Sequence, residues 1–166
     1  MPSKRTPILK HEQIQQKILR IAYQVYESNF AEAEMVLVAI EKQGAQLADR
    51  IQPLLEEISK KPVHRLNLKM DKSQPDKASL NGDADVLSGK AVVLVDDVLN
   101  SGRTLIYAAK FLLQYPIKKL NTVVLVDRRH RLFPIKADFA GLTLSTTLQN
   151  HISCEFSKTK DSVYLE

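Results

Sequence analysis

Two adjacent carboxylates, Asp96 and Asp97, directly follow the apolar run of residues 91–95. Such a short, continuous apolar run predicts a strand that is buried on both faces. Carboxylates at the end of a buried strand are costly unless they serve a ligand, and ribose hydroxyls with a nearby divalent cation would use both. In an open α/β sheet, ligands bind at the carboxyl ends of strands, where loops lead into helices. The acidic pair is therefore a candidate for binding or catalysis.

The segment after the acidic pair has the parts of a phosphate cradle. Gly102 allows the backbone to approach a ligand closely, and Ser101 and Thr104 offer hydroxyl donors. A helical pattern begins here, and the N–H groups and dipole at a helix start favour an anion. The glycine spacing matches neither a Walker loop nor a dinucleotide-binding fingerprint. On these residues alone a simpler alternative stays open, in which Asp96 and Asp97 only begin a turn and cap the helix.

The length and composition exclude several classes of protein. The 166 residues suffice for a hydrophobic core without disulfides or a structural metal, and we predict one domain over residues 1–166. Cys154 is the only cysteine, so neither an intrachain disulfide nor a cysteine-based metal site can form. Residues 1–5 lack a secretory signal, and no apolar run reaches the length of a membrane span. These features predict a soluble, cytoplasmic protein without a membrane partner.

The net charge of +5 and the pI of about 9.3 favour polyanionic ligands. Nucleic acid is one such ligand, and a small molecule with several phosphates is another. A basic face that contacts only solvent is the simpler alternative. Within the dense cluster at residues 127–131, Arg129 and Arg131 could contact RNA phosphates. His130, a lone histidine among arginines, is more often structural than catalytic.

Apolar periodicity predicts an alternation of strands and helices, which is typical of an α/β fold with a parallel sheet. Helical spacing predicts three helices, at residues 12–26, 45–58 and about 104–113. Apolar or alternating runs predict longer strands at residues 35–40, 62–70, 91–95 and 122–126. Shorter strands separated by turns are predicted near residues 138–140, 143–147, 152–156 and 163–165. Residues 71–90 lack periodicity, and we predict a long mobile loop there.

Two linked motifs resemble a known family. The string of residues 92–104 closely resembles the signature of type I phosphoribosyltransferases: an apolar strand, an acidic pair, a phosphate loop and a helix. Residues 125–141 resemble one subfamily, the bifunctional pyrimidine-operon attenuator/uracil phosphoribosyltransferases. Its members combine a Val-Asp-Arg-x-His-Arg segment with Pro-Ile-x-Ala-Asp, at this distance from the phosphate loop. The resemblance extends from about residue 35 to 147, and it implies an α/β fold with a parallel twisted sheet flanked by helices and a small C-terminal β hood.

The implied reaction transfers phosphoribosyl from phosphoribosyl pyrophosphate to a nucleobase, with uracil as the expected acceptor and Mg²⁺ as the cofactor. Stabilisation of charge dominates such chemistry. The resemblance implies that Asp96 and Asp97 are catalytic, because they would hold the ribose hydroxyls and stabilise the developing positive charge. The same pair would hold the metal, directly or through ribose or water. The residues implied to bind the phosphorylated ribose are Val98, Leu99, Asn100, Ser101, Gly102, Arg103 and Thr104.

Further segments would complete the implied site. The turn Glu41-Lys42-Gln43-Gly44 matches the family's pyrophosphate loop, with Lys42, Gln43 and Gly44 as the expected binding residues. The stretch 70–86 would close over the site and exclude water. Family members commonly self-associate, so a homo-oligomer is expected. The residues expected near the pyrimidine are Asp127, Arg128, Ile135, Lys136, Ala137 and Asp138.

The chain departs from the family pattern in the pyrophosphate loop. Relatives usually carry Lys-Thr-Arg-Gly there, whereas this chain has Glu41 before Lys42-Gln43-Gly44, so a cation is missing and an anion is added. The segment after Met70 also lacks the Tyr-Arg-Asp run of the subfamily and is shorter. Two alternatives to a uracil enzyme follow. One is an RNA-binding attenuator that senses uridine nucleotides, and the other is a relative that binds ribose phosphate without turnover.

Overall fold

Strands and helices alternate through the part of the chain that the structure describes, residues 4–71, 73–147 and 150–166. In this computed structural model the helices are α1 (His11–Ser28), α2 (Gln43–Ser59) and α3 (Arg103–Leu112). A 3₁₀ turn spans Ala84–Leu87. Among the described helices, none combines the length and the apolar character needed to cross a membrane. The strands are β1 (Thr6–Leu9), β2 (Met35–Ile40), β3 (Val63–Asp71), β4 (Gln74–Asn81), β5 (Ala91–Leu99), β6 (Lys119–Asp127), β7 (Phe139–Thr143), β8 (Ile152–Glu155) and β9 (Ser162–Leu165).

A six-stranded sheet in the order β4-β3-β2-β5-β6-β7 forms the centre of the fold. All neighbours are parallel except β4, which is antiparallel to β3. The chain adds β3 on one side of β2, and it then returns to place β5 on the other side. This reversal is a topological switch point, and ligands in open α/β sheets bind beyond the strand ends at such a point. The predicted α/β fold with a parallel sheet is confirmed, and the switch point lies between β2 and β5.

Helices cover both faces of the sheet, which explains why the central strands read as continuous apolar runs. All six residues of β2 are buried. On one face, α1 and α2 form a core cluster with the sheet, and α1 contributes Ile14, Ile18 and Ile21 at helical spacing. On the other face, α3 packs against the sheet through Leu105 and Leu112. Burial of each such side chain stabilises the fold by about 1.5–3 kcal/mol.

A second, three-stranded antiparallel sheet in the order β1-β9-β8 forms the predicted β hood. The hood is not purely C-terminal, because β1 joins it from the start of the chain. Asp161, which is 1% exposed, attaches the hood to α2 by accepting hydrogen bonds from Nε and Nη2 of Arg50 at 2.7 and 2.6 Å. Burial alone would raise the pKa of Asp161, but hydrogen bonds from Arg50 and Gln15 outweigh it and lower the pKa.

The prediction of a long loop over residues 71–90 is wrong. Strand β4 and the 3₁₀ turn occupy most of that range, and β4 forms an antiparallel hairpin with β3. Strand β4 is an edge strand that is paired on one side only. Its polar composition therefore costs little, and only the partly buried Ala78 and Leu80 show the alternation of a strand.

Two smaller boundaries also differ from the prediction. Strand β5 continues through the acidic pair to Leu99, because its backbone pairs with β6 as far as Leu99, which lies opposite Asp127. Carboxylate side chains do not interrupt such a ladder, since the backbone makes its hydrogen bonds. Strand β7 ends at Thr143, so the strand predicted over residues 143–147 is wrong beyond its first residue.

Candidate active site

A three-residue loop, Asn100 to Gly102, connects the end of β5 to the start of α3. Gly102 has a φ of 88°, in the left-handed region that favours glycine. A Cβ at this position would lie 2.8 Å from Cγ2 of Ile135, so a side chain would also collide with its neighbour. The loop and the first turn of α3 enclose a cavity of about 30 Å³, which Asp96, Asn100, Ser101, Gly102, Arg103 and Thr104 help to line. The segment predicted to bind phosphate thus surrounds one small polar space.

The segment after β6 supports this loop from behind. The carbonyl oxygen of Ser101 accepts hydrogen bonds from the N–H groups of Leu132 and Phe133 at 2.8 and 3.1 Å. Ile135 packs against Gly102, and Nη1 of Arg128 donates to Oδ1 of Asn100 at 2.8 Å. The two sequence motifs, residues 92–104 and 125–141, are therefore in direct contact, and the second supports the loop of the first.

The acidic pair lines a second, larger cavity of about 180 Å³. Both carboxylates are partly buried, and Oδ1 of Asp96 accepts the N–H of Asp97 at 2.9 Å. Asp96 lines both cavities, so the larger cavity adjoins the phosphate loop. Within the described residues, no group of three or more His, Cys, Asp or Glu could hold a metal by itself. A Mg²⁺ ion would fit here on one or two carboxylates together with ligand oxygens and water, which is how proteins usually hold it.

The turn between β2 and α2 leads to Gln43, which lines the larger cavity. Gly44 lies so close to β5 that a Cβ would be 2.8 Å from the carbonyl oxygen of Val95. Lys42 and Gln43 are exposed, and of these two only Gln43 lines the cavity. No lysine or arginine of the described chain lines this cavity. The predicted pyrophosphate turn is therefore beside the acidic pair, but it brings no full positive charge into the cavity.

The hood contributes four residues to the lining of the larger cavity that were not predicted as site residues: His151, Ile152, Ser153 and Cys154. Cys154 is 5% exposed, and burial raises the pKa of its thiol, with further contributions from the negative charges of Asp97 and Asp96. The short strand predicted over residues 152–156 corresponds to β8 (Ile152–Glu155). No local signal indicated that this strand would lie over the acidic pair, because that placement depends on a sheet assembled from both ends of the chain.

The residues expected near the base are distributed over two places. Asp127 is buried at the end of β6, and its carboxylate accepts hydrogen bonds from the N–H of Arg129 and from Arg131, at 2.9 and 2.8 Å. Arg128 and Ile135 contact the phosphate loop, as described above. By contrast, Asp138 accepts the N–H of Thr122 at 2.9 Å, near the start of β6.

Residues 136–138 accordingly run away from the site. Thr122 precedes Asp127 by five residues of the same strand, which corresponds to roughly 16 Å. The carbonyl oxygen of Lys136 accepts from the Thr122 hydroxyl at 2.9 Å, and Ala137 packs in the core cluster of α3. The structure thus brings Asp96, Asp97, residues 98–104, Gln43 and Gly44 together, and it does not bring Lys136, Ala137 and Asp138 to them.

Comparison with known proteins identifies the class to which this fold and site belong. The family described as the phosphoribosyl transferase domain matches residues 4–156, and the chain belongs to this family. Among solved structures, a hypoxanthine-guanine phosphoribosyltransferase from Bacillus anthracis is 25% identical with a TM-score of 0.72, and the match covers 86% of this chain and 84% of that one. The hypoxanthine phosphoribosyltransferase of Trypanosoma cruzi has a TM-score of 0.79 at 18% identity, with 95% of each chain covered, and it shares the fold.

Similar sequences narrow the class to one subfamily. The bifunctional protein PyrR of Actinobacillus pleuropneumoniae serotype 5b (strain L20) is 32% identical over 170 aligned positions, which cover 95% of this chain and 94% of the relative. The bifunctional protein PyrR of Roseiflexus sp. (strain RS-1) is 35% identical, with 94% of this chain and 90% of the relative covered. The resemblance to a type I phosphoribosyltransferase close to this subfamily is thereby confirmed.

Proposed function

We propose that this protein transfers the phosphoribosyl group of phosphoribosyl pyrophosphate to uracil, with release of pyrophosphate. The observation that carries the proposal is the junction of the two cavities at Asp96. A phosphate loop at a helix start and an acidic pair under a hood adjoin each other there, at the switch point of the sheet. A 5′-phosphorylated ribose has its anionic group and its hydroxyls at opposite ends, and this arrangement matches it.

The roles of the residues follow from the charges that the reaction creates. The loop amides of residues 100–104 and the hydroxyls of Ser101 and Thr104 would hold the 5′-phosphate. Asp96 and Asp97 would hold the ribose hydroxyls. As the bond to pyrophosphate breaks, the ribose becomes positively charged, and the same carboxylates would stabilise that charge across a partly dehydrated cavity.

Mg²⁺ would be held by Asp96 and Asp97, directly or through ribose or water. When bound, it would neutralise the charge that accumulates on the pyrophosphate. The absence of lysine and arginine from the described lining of the larger cavity increases the importance of this neutralisation. We therefore expect strict dependence of turnover on a divalent cation.

The choice of uracil rests on sequence similarity, because the solved neighbours named above act on hypoxanthine or guanine. The bifunctional relatives are 32–35% identical over nearly the whole chain, compared with 18–25% for the two purine enzymes. The subfamily motif of residues 126–138 favours the same assignment.

A base panel tests the proposal directly. Purified protein would be incubated with phosphoribosyl pyrophosphate, Mg²⁺ and one of uracil, cytosine, hypoxanthine, guanine, xanthine or adenine, and pyrophosphate release would be measured. We expect release with uracil alone, and none when the metal is chelated. Calorimetry with phosphoribosyl pyrophosphate provides the companion measurement. Binding without turnover on any base would reject the catalytic proposal and leave a ribose-phosphate-binding relative.

We also propose a second function, an RNA-binding attenuator that senses uridine nucleotides. Arg129 and Arg131 are exposed, and with Arg128 and Leu132 they line an open cavity of about 370 Å³ beside Asn100 of the phosphate loop. A nucleotide in the loop would lie against these basic residues and could alter RNA binding. Filter binding to a pyrimidine-operon leader RNA, with and without uridine 5′-phosphate, tests this function. Nucleotide-independent affinity at low salt would exclude it.

Three broader properties stay predictions: one domain over residues 1–166, a cytoplasmic location and self-association. Sedimentation velocity over a range of protein concentrations would measure the self-association. A homo-oligomer is expected from the family resemblance.

A further inference from the structure

Arg128 is a buried arginine whose hydrogen-bond acceptors are all neutral. It is 8% exposed. Its Nε donates to the Thr146 hydroxyl at 3.0 Å, and Nη1 donates to Oδ1 of Asn100 at 2.8 Å. Its Nη2 donates to the carbonyl oxygens of Thr147, at 3.2 Å, and of Asn150. The guanidinium therefore connects the phosphate loop with the segment that leads from β7 into the hood.

Among the described residues, no ion pair balances this buried charge. The described residues include every Asp and Glu of the chain, and the ion pairs among them do not include Arg128. The nearest acid in sequence, Asp127, is paired with Arg131 instead. Burial alone lowers the pKa of the Arg128 guanidinium, yet arginine stays protonated at neutral pH. A buried cation without a counter-ion is costly, so an anion that reaches its vicinity is favoured.

The hydrogen bond to Asn100 also determines how that amide is presented. Because Oδ1 of Asn100 accepts from Arg128, its NH₂ group is directed away from the guanidinium and is available as a donor. Asn100 is exposed and lines the small cavity of the phosphate loop as well as the larger cavity. Four of the five N–H groups of Arg128 are used by described residues, and the fifth is on Nη1, the atom that contacts Asn100.

We propose that Arg128 is a positioning residue that orients Asn100 toward the ligand's 5′-phosphate, and that this phosphate supplies the negative charge that Arg128 lacks within the protein. The inference rests on the proposed function, because it takes the loop to be the 5′-phosphate site. It also replaces the expectation that Arg128 contacts the pyrimidine. Its guanidinium is occupied by the protein, so it acts on the ligand through Asn100 and through charge.

The test compares two ligands that differ only in the phosphate. Calorimetry would measure the affinity of uridine 5′-phosphate and of uridine for the wild type, Arg128→Gln, Arg128→Lys and Asn100→Ala. We expect Arg128→Gln to weaken uridine 5′-phosphate at least about tenfold, as expected for lost hydrogen bonds involving a charged group, while uridine affinity stays unchanged. Arg128→Lys keeps the charge without the fork of donors, and it should recover part of the loss.

A double-mutant cycle separates a positioning role from a general one. If Arg128 acts through Asn100, the double variant Arg128→Gln/Asn100→Ala should bind uridine 5′-phosphate little worse than the weaker single variant. Additive losses would overturn the positioning role. In steady-state kinetics, Arg128→Gln should raise the KM for phosphoribosyl pyrophosphate by a larger factor than it lowers kcat, since the phosphate is present before and after the reaction.

Arg20→Gln is the matched control. Among the described residues, Arg20 also donates to neutral acceptors alone, the side chain of Gln24 and the carbonyl oxygens of Ala140 and Gly141, but it is exposed on α1. Its variant should bind both ligands as the wild type does. If Arg128→Gln fails to fold, Arg128→Lys and Asn100→Ala still decide the question, because unchanged selectivity for uridine 5′-phosphate over uridine in both would overturn the inference. Failure of the wild type to bind uridine 5′-phosphate would instead reject the proposed function.

Discussion

The phosphate loop and the turn after β2 occupy equivalent places in the sheet, yet they differ in their support and in their charge. Each follows a central parallel strand and leads into a helix. The phosphate loop is braced by hydrogen bonds from Leu132 and Phe133 and by the buried Arg128. The turn at residues 41–44 presses Gly44 against β5 but directs no lysine or arginine of the described chain into the cavity.

The two halves of the proposed phosphoribosyl pyrophosphate site therefore differ in how well the protein alone can bind an anion. The 5′-phosphate half has a helix start, hydroxyl donors and a nearby cation without a counter-ion. The pyrophosphate half has Gln43 where the family pattern places a charged loop, and it would depend on the metal. Ligands with only a 5′-phosphate should therefore bind well. Turnover should be sensitive to substitutions in the pyrophosphate half and to removal of the metal.

The largest expected effect comes from the acidic pair that joins the two halves. Asp97→Asn should lower turnover at least about tenfold with the fold intact, because the variant cannot stabilise the positive charge that develops on the ribose. Pyrophosphate release would measure the rate, and urea unfolding would check the fold. Glu57→Gln, at an exposed position of α2, is the control and should leave the rate unchanged. Wild-type rates in Asp97→Asn would remove the pair from the mechanism.

Gly102→Ala alters the phosphate loop, which forms the 5′-phosphate half of the site. The change forces alanine into a φ of 88° and brings a Cβ to 2.8 Å from Ile135. We expect about tenfold weaker binding of both uridine 5′-phosphate and phosphoribosyl pyrophosphate, with a loss of roughly 1–2 kcal/mol in the free energy of unfolding.

The control for this change is Gly89→Ala. Gly89 has a φ of 70°, but a Cβ there would meet nothing within 4 Å. Gly89 lies just before the start of β5, whereas the phosphate loop follows the end of that strand. Its variant should lose stability to a similar extent and keep both affinities. Calorimetry and urea unfolding provide the measurements, and equal affinities in the two variants would contradict the role of the Gly102 contact.

Gln43→Arg adds a positive charge to the pyrophosphate half of the site, which has no lysine or arginine among its described lining residues. Gln43 lines the cavity with the acidic pair, so an arginine there would add a charge-assisted contact for pyrophosphate. We expect about fivefold tighter binding of phosphoribosyl pyrophosphate in the presence of Mg²⁺, and unchanged binding of uridine 5′-phosphate. Gln46→Arg, an exposed position of the same helix outside this cavity, is the control. An equal gain for both ligands would indicate a general effect of charge and not a pyrophosphate subsite.

The smallest expected effect concerns the hood, which covers the space between the two halves. Burial raises the pKa of the Cys154 thiol in the folded protein. In the unfolded chain the same thiol has a pKa of about 8.5. Because the folded pKa is the higher one, the contribution to stability is complete below about pH 8.5 and is lost as the pH rises. At pH 9 the loss is about 0.8 kcal/mol. Urea unfolding of the wild type and Cys154→Ala at pH 7 and 9 would show this difference, and identical pH dependence would refute it.

Much of the central sheet was predictable, because local pattern and burial agree there. The continuous apolar run of β2 and the stripe of α1 were both recognisable, since a residue's neighbours in the chain reveal the period. Strand β4 was not, because an edge strand needs few apolar residues. Asp138 was expected near the base on the strength of a motif. Asp138 instead lies near the start of β6, because the chain returns along the sheet before β7 begins. A sequence motif does not contain information about that path.

The sequence by itself determined the strand, the acidic pair, the phosphate loop and the helix, because these are consecutive and their hydrogen bonds, glycine conformation and helix dipole are local. Only the tertiary structure decided what surrounds them. The strand order places Gly44 beside Asp96, the hood brings Cys154 over the carboxylates, and the return of the chain places Arg128 behind Asn100. Contacts between residues distant in sequence depend on how sheets and helices pack, and no short window of sequence contains that information.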